Sequence, residues 1–321
     1  MCIFCRTFAR LLTLYHSIMK RFFSFLLFCT IGLQLVSAQN YDYKPVATKI
    51  TANASTKMQK VKAIYDWICN NIQYDTSYKI YHADECYKQR KGVCQAYSEL
   101  MRYMCEAVGV QCTIISGTSY HMYGGGAHAW ICAQVEKGTI LMDPTWGAGN
   151  VNGSTFTFNE DHDYWFDVDP YWMIFTHFPE DPKYQFLQSP ISAETFNKMP
   201  RIYPSCKYLG WNAKDIFSKW LRKEVTSFPT FYGADFRVIQ LADIPISRKL
   251  RVGTTYKFRM KVSDPSRIAI INGDDWYQSS QWTHESGYST IYITPRVAGK
   301  LSINYRGDDG WYSGMIEYDV Q

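Results

Sequence analysis

Lys91-Gly92-Val93-Cys94-Gln95-Ala96-Tyr97 puts a glycine two residues ahead of a cysteine, and an amphipathic pattern starts at that cysteine. Apolar residues recur at Val93, Tyr97, Leu100, Met101, Met104 and Val108, a helical rather than an alternating period. The pattern predicts a helix that begins at Cys94 and ends near Gly109. A cysteine there meets unpaired backbone N–H groups and the positive end of the helix dipole, both of which favour thiolate over thiol. Downstream stand His128, in Ala127-His128-Ala129-Trp130, and Asp143, in Leu141-Met142-Asp143-Pro144-Thr145-Trp146. Cysteine, histidine and aspartate are the residue types from which a nucleophile, a base and its orienter are made.

The runs Ala127 to Val135 and Thr139 to Met142 read as strands on either side of Glu136-Lys137-Gly138, a hairpin. A loop from Val135 to Gly138 pairs Gln134 with Thr139 and sets Trp130 opposite Asp143, which then lies diagonal to His128 on the same face. A loop shorter by one residue pairs Ile131 with Asp143 and puts the two side chains on opposite faces. A Cys-His-Asp set therefore demands the first register or a bulge. Taken singly, each residue has a plainer reading. A cysteine in a helical pattern is usually core, a strand histidine is usually structural, and an aspartate before proline is usually a turn former or cap. His121 sits among Gly, Ser and Tyr residues that read as a loop, and is set aside for want of a strand around it.

The 321 residues suggest two domains. An aromatic content of 17% suits β-rich structure and buried ring clusters, or a carbohydrate- or peptide-facing surface. The net charge of +5 misleads, because residues 1–38 hold Arg6, Arg10, Lys20 and Arg21 and no acidic residue. Without those four the 34 Lys and Arg become 30, against 29 Asp and Glu, so charge implies no nucleic-acid partner. Met19-Lys20-Arg21, the apolar run Phe22 to Val36 and the small-residue site Val36-Ser37-Ala38 read as a secretory signal peptide that starts at Met19. The expectation is an exported protein (periplasmic, cell-surface or extracellular) with no stable membrane span after cleavage. Beyond Ala38 the cysteines are Cys69, Cys86, Cys94, Cys105, Cys112, Cys132 and Cys206, an odd set that points to one free thiol, Cys94. Their spacing matches no metal-ligand motif, so neither a metal nor another cofactor is expected.

Elsewhere, Ser55 to Asn71 and Ala213 to Val225 read as helices, with a short helical piece at Ala83 to Gln89. Gly147 to Asp163 reads as loop, and Tyr164 to Pro204 is aromatic and punctuated by proline. From about Ile244 the pattern changes to short alternating runs separated by Gly and Asp turns, the pattern of a β-sandwich. Gly273-Asp274-Asp275-Trp276-Tyr277 and Gly307-Asp308-Asp309-Gly310-Trp311-Tyr312 echo each other as turn chemistry. The expected organisation is a signal peptide over 1–38, a domain that carries the Cys-His-Asp set with its C-terminal extension over 39–240, and an Ig-like β-sandwich over 241–321.

Three motifs in order, Gly92 to Tyr97, Gly124 to Trp130 and Leu141 to Gly147, resemble the core of the transglutaminase-like superfamily, and Tyr65 to Asp75 resembles the helix that precedes its nucleophile. The segment Phe175-Thr176-His177-Phe178-Pro179 onward to Leu187 is similar to the kyphoscoliosis peptidase/hillarin-like branch. The resemblance implies an α+β, papain-like core with a nucleophile helix on an antiparallel sheet. It implies Cys94 as nucleophile, His128 as base and Asp143 as orienter in acyl transfer through a thioester. Water as acceptor gives proteolysis or deamidation, and an amine gives cross-linking. A second oxyanion donor is often an upstream side chain in this superfamily, and Trp67 and Tyr74 are the candidates. Trp130, Trp146 and Tyr97 are candidate walls of the substrate cleft, with core packing the competing role. The expected partner is a peptide or protein substrate, at the cell envelope or outside the cell. The rival reading keeps the fold without catalysis, as a binding or assembly module.

Overall fold

Tyr97, Leu100, Met101, Met104 and Cys105 turn one face of a helix inward, and the helix lies against an antiparallel sheet. The computed structural model describes residues 41–121, 124–200, 202, 206–207, 210–232, 239–262, 264–278 and 281–321. The expected signal peptide lies outside them. Helices α1 (Lys44–Ile50) and α2 (Lys57–Asn71) come first. Strands β1 (Gln73–Tyr74) and β2 (Lys91–Gly92) pair in parallel around α3 (Ala83–Gln89), and α4 (Cys94–Ala107) follows directly. Thr56 caps α2: its hydroxyl accepts from the Gln59 N–H while the Gln59 side chain accepts from the Thr56 N–H. This reciprocal box ends the fraying that an uncapped start would allow. Ala107 ends α4 at its other end, and Gly109 turns the chain away at φ +82°, a conformation that suits glycine.

Strands β3 (Cys112–His121), β4 (Gly124–Val135) and β5 (Gly138–Met142) follow, then α5 (Pro144–Ala148) and a small hairpin of β6 (Gly149–Asn152) and β7 (Thr155–Phe158). Strand β8 (His177–Pro179) returns to pair with β3, giving the order β5-β4-β3-β8. The observed register sets Gln134 opposite Thr139 and Ile131 opposite Met142, which is the arrangement the Cys-His-Asp set demands. Helix α4 packs on β3 and β4, and α2 packs on α4 and α5.

Three segments differ from the sequence expectation. The pairing of β3 with β4 continues through Thr118, Ser119 and Tyr120, so His121 ends a strand and does not lie in a loop. The segment read as loop from Gly147 carries the β6–β7 hairpin, turned by Gly153 at φ +62°. The proline-punctuated segment supplies β8, a strand too short to alternate visibly. Gly117 explains how β8 comes so close. A Cβ there would lie 2.2 Å from the Phe178 carbonyl oxygen and 2.6 Å from Trp130 Cη2.

The C-terminal part contains β9 (Thr230–Phe231), β10 (Ile239–Asp243), β11 (Lys249–Leu250), β12 (Tyr256–Val262), β13 (Ile268–Asn272), β14 (Asp275–Gln278), β15 (Thr283–Glu285), β16 (Tyr288–Ile293), β17 (Gly299–Arg306) and β18 (Tyr312–Val320). One sheet runs β10-β12-β16-β15 and the other β11-β18-β17-β13-β14, with β9 also paired to β18. Phe258, Met260 and Ile293 of the first sheet and Leu301, Ile303, Ile316 and Tyr318 of the second are fully buried. Phe258 meets Tyr318 edge-on at 5.8 Å. This is a β-sandwich, as the alternation implied. The two echoing Gly-Asp motifs form hairpin turns of the same sheet, between β13 and β14 and between β17 and β18.

Candidate active site

Cys94 is the first residue of α4, and Val93 precedes it in extended conformation with no side-chain cap. The side chain of Val93 therefore takes up none of the first-turn N–H groups. Gly92 fits the chain under this turn, because a Cβ there would lie 2.8 Å from Ala96 Cβ and 2.9 Å from Cys86 Sγ. No disulfide joins Cys69, Cys86, Cys94, Cys105, Cys112 or Cys132, so the odd count is not what distinguishes Cys94. Exposure and company are. The other described cysteines are buried, whereas Cys94 is partly exposed. Burial pushes the thiols of Cys86 and Cys132 up, to about 12 and about 11. Burial also acts on Cys94, but a hydrogen bond to His128, the imidazolium charge and a backbone hydrogen bond from Ala129 outweigh it, so this thiol is lowered.

His128 comes from the middle of β4 and Asp143 from the residue after β5. The same-face register brings His128 Nε2 to 2.7 Å from Asp143 Oδ2. With Nε2 so engaged, Nδ1 is the nitrogen left for Cys94, and thiol, imidazole and carboxylate stand in series. Burial opposes charge on His128, yet the Asp143 carboxylate and then Cys94 raise its pKa to about 10. Asp143 is fully buried. Burial alone would raise its carboxyl, but the charge and hydrogen bond of His128, then His177, hold it well below the usual carboxylate range. The plainer reading of Asp143 also holds, on its other oxygen. Oδ1 caps α5, accepting from Thr145 N at 2.8 Å and Trp146 N at 3.0 Å.

The sequence pattern did not reveal the fourth member of this group. His177 on β8 places Nε2 3.0 Å from the same Asp143 Oδ2, and its Nδ1 lies 2.8 Å from Thr176 Oγ1. Burial, the largest influence, lowers its pKa to about 4 against the raising effect of Asp143. The rings of Trp130, Trp146 and Trp165 enclose it at 5.0, 4.7 and 5.3 Å. A neutral His177 donates Nε2–H to the carboxylate and accepts the Thr176 hydroxyl at Nδ1, which fixes its tautomer. One carboxylate oxygen thus serves a cationic imidazole on one side and a neutral one on the other. His177 belongs to the Phe175 to Leu187 segment, but no spacing ties it to Asp143, 34 residues earlier.

Other candidates fall elsewhere. Tyr97 is fully buried, with its hydroxyl donating to the Ile72 carbonyl at 2.6 Å, and Trp130 is 1% exposed. Both are core side chains and present no cleft surface. Trp146 is half-buried, tilted over His128 at 5.7 Å. Trp67 stacks on Tyr87 and under Arg90. Tyr74 is half-buried on β1, where it pairs with Gly92 just before Cys94, and its phenol is pushed up by burial first and by Cys94 next.

Two groups among the described residues bring three potential metal-ligand atoms together: His128, Asp143 and His177, and Asp66, His162 and Asp163. In the first, Oδ2 already accepts from both imidazoles. In the second, Lys62 Nζ lies 2.6 Å from Asp66 and 2.9 Å from Asp163, supplying the positive charge itself. No helix among the described residues is long and apolar enough to cross a membrane.

Residues 44–144 match the model of the transglutaminase-like superfamily. Kyphoscoliosis peptidase of Mus musculus is 29% identical over 169 residues, and that of Homo sapiens 30% over the same length. Each match spans 47% of this chain and 25% of the relative, so the chain covers about a quarter of the length of the curated relatives it matches. A solved TGase is 14% identical, with a TM-score of 0.30, over 44% of this chain and 41% of its own.

Proposed function

We propose that this chain, whose residues 44–144 carry the transglutaminase-like superfamily fold, is an exported cysteine enzyme acting on peptide or protein amides. The reading rests on one observation: the partly exposed Cys94 is hydrogen-bonded to His128, whose far nitrogen is 2.7 Å from a buried carboxylate. In this reading the Cys94 thiolate attacks the amide carbonyl, and backbone N–H groups at the start of α4 are the donors for the tetrahedral oxyanion. His128 then gives its proton to the departing amine, leaving a thioester on Cys94. An acceptor, water or a second amine, loses its proton to His128 as it attacks the thioester and frees the thiol. Asp143 keeps the imidazole in one tautomer and supports its charge throughout. Kinship with the kyphoscoliosis peptidases favours a protein substrate over a small amide, and the cationic, apolar N-terminus favours export.

The thiolate–imidazolium pair persists from the lowered pKa of Cys94 up to about 10, where His128 loses its proton. Alkylation of Cys94 is therefore fast below neutral pH, unlike an ordinary thiol. The deciding experiment incubates the full chain with a peptide library and an amine probe, then looks for cleaved or amine-tagged products and a thioester trapped on Cys94. A silent binding module would give neither products nor thioester.

A further inference from the structure

Asp75 is fully buried beside the Cys94 turn, yet it takes no part in the group around Asp143. The chain that follows wraps its carboxylate. Oδ1 accepts from Ser77 N at 3.1 Å and Ser77 Oγ at 2.6 Å, and Oδ2 accepts from Lys79 N at 2.7 Å and Ile80 N at 3.0 Å. Lys91 Nζ approaches Oδ1 at 3.3 Å. The Tyr78 N–H donates to the Asp75 carbonyl at 3.0 Å. This winding holds Tyr78 at φ 54°, left-handed backbone that favours glycine or asparagine. A loop needing only to turn there would carry one of those, with polar side chains outward. This one carries tyrosines instead. Tyr78 is 62% exposed and Tyr81 47% exposed, and the Tyr78 ring meets Tyr74 edge-on at 6.0 Å. The loop is also bolted to the backbone leading into Cys94. Asp75 N donates to the Gly92 carbonyl and Val93 N to the Ile80 carbonyl, both at 2.9 Å, and Tyr74 pairs with Gly92.

We infer that Tyr74, Tyr78 and Tyr81 form a rigid recognition wall for a flat apolar side chain, aromatic by preference, flanking the carbonyl that Cys94 attacks. The inference rests on the reading of Cys94 as nucleophile and adds a substrate class to it. Strained, non-glycine backbone held by a buried network next to a reactive group is the pattern of a pre-organised binding element. Tyrosine suits such a wall, because it offers a large apolar face at the cost of ordering two torsions, and its hydroxyl can bond a substrate backbone amide. The backbone bonds from this loop to Gly92 and Val93 hold it against the residues that lead into the partly exposed thiol, which argues for a substrate side chain over a second copy of this chain on the wall.

The test uses irreversible probes on the full chain, so that no natural substrate is needed. The thiolate displaces chloride from a chloromethyl ketone, forming a thioether and releasing chloride. An N-acyl-phenylalanyl ketone and its glycyl counterpart are compared, each normalised to its rate with glutathione, and iodoacetamide reports Cys94 alone. The expected second-order rate ratio, phenylalanyl over glycyl, is about tenfold. In Tyr78→Gly, which keeps the left-handed backbone, and in Tyr81→Ala, the ratio falls toward one, while Trp311→Ala on the distant sandwich keeps it. A wild-type ratio near one, a preference that survives the combined Tyr78→Gly/Tyr81→Ala change, or labelling that slows as protein concentration rises because copies cover the wall, overturns the inference while leaving Cys94 as nucleophile. If iodoacetamide labels Cys94 at pH 6 only after unfolding, both readings fall.

Discussion

The core sheet and the C-terminal sandwich are both mainly antiparallel and aromatic-rich, yet they treat polar groups in opposite ways. In the sandwich the charges stay outside: Arg248, Lys300 and Asp319 pair at the surface, while the interior is Phe258, Met260, Leu301, Ile303 and Tyr318. Its buried polar side chains, such as Asn272, bond backbone carbonyls at 3.1 and 3.3 Å and carry no charge. The core sheet instead draws Asp143, His177 and most of His128 inside, at 0%, 0% and 7% side-chain exposure. Burying a carboxylate is costly unless every lone pair is occupied, and Asp143 meets that condition with four donors. A fold that needs only stability has the sandwich's solution available. That the core does otherwise is what favours this sheet as the place of the proposed chemistry.

The contrast between the two sheets breaks most sharply at His128. Replacing it with alanine removes the partner that lowers the Cys94 thiol. Alkylation of Cys94 at pH 6 should then drop by about 10²- to 10⁴-fold, read by mass spectrometry. An unchanged rate would mean that the pair does not govern the thiol. Next, Phe258→Ala in the sandwich should cost about 3–5 kcal/mol of stability, measured by denaturant titration. It should leave the Cys94 alkylation rate untouched below the unfolding midpoint. A matching loss of reactivity would show that the two regions are not separable in function.

The smallest effect concerns His177. Its folded pKa, about 4, lies below the unfolded value of roughly 6.5. Between those pH values the unfolded chain binds a proton that the folded one refuses. Stability present above roughly pH 6.5 is thus lost as pH falls toward 4, with a ceiling of about 3 kcal/mol. His177→Gln keeps an N–H for Asp143 and removes the titration, so its stability curve should be flatter across that window. His128 has the opposite sign: its pKa is raised, and its contribution, full below roughly pH 6.5, fades as pH rises through about 10. A wild-type curve already flat between pH 6.5 and 4 would show that His177 is not held neutral.

Local pattern alone marked the start of the Cys94 helix, the β4–β5 hairpin, the short helix Ala83–Gln89 and the alternating strands of the sandwich. These are contacts between near neighbours, and the periods of helix and strand write them directly into residue order. The choice of hairpin register could be posed from sequence as two alternatives, but only the pairing of Gln134 with Thr139 decided between them. Tertiary structure alone decided which aromatics are core and which are surface. Tyr97 and Trp130, the last residues of two of the motifs, turned inward, whereas Tyr78 and Tyr81, in the loop between β1 and α3, stayed out. It alone brought His177 to Asp143, through a three-residue strand and a glycine small enough to let it approach. Such meetings depend on how distant segments pack, and side-chain volume and burial set them without leaving a period in the sequence.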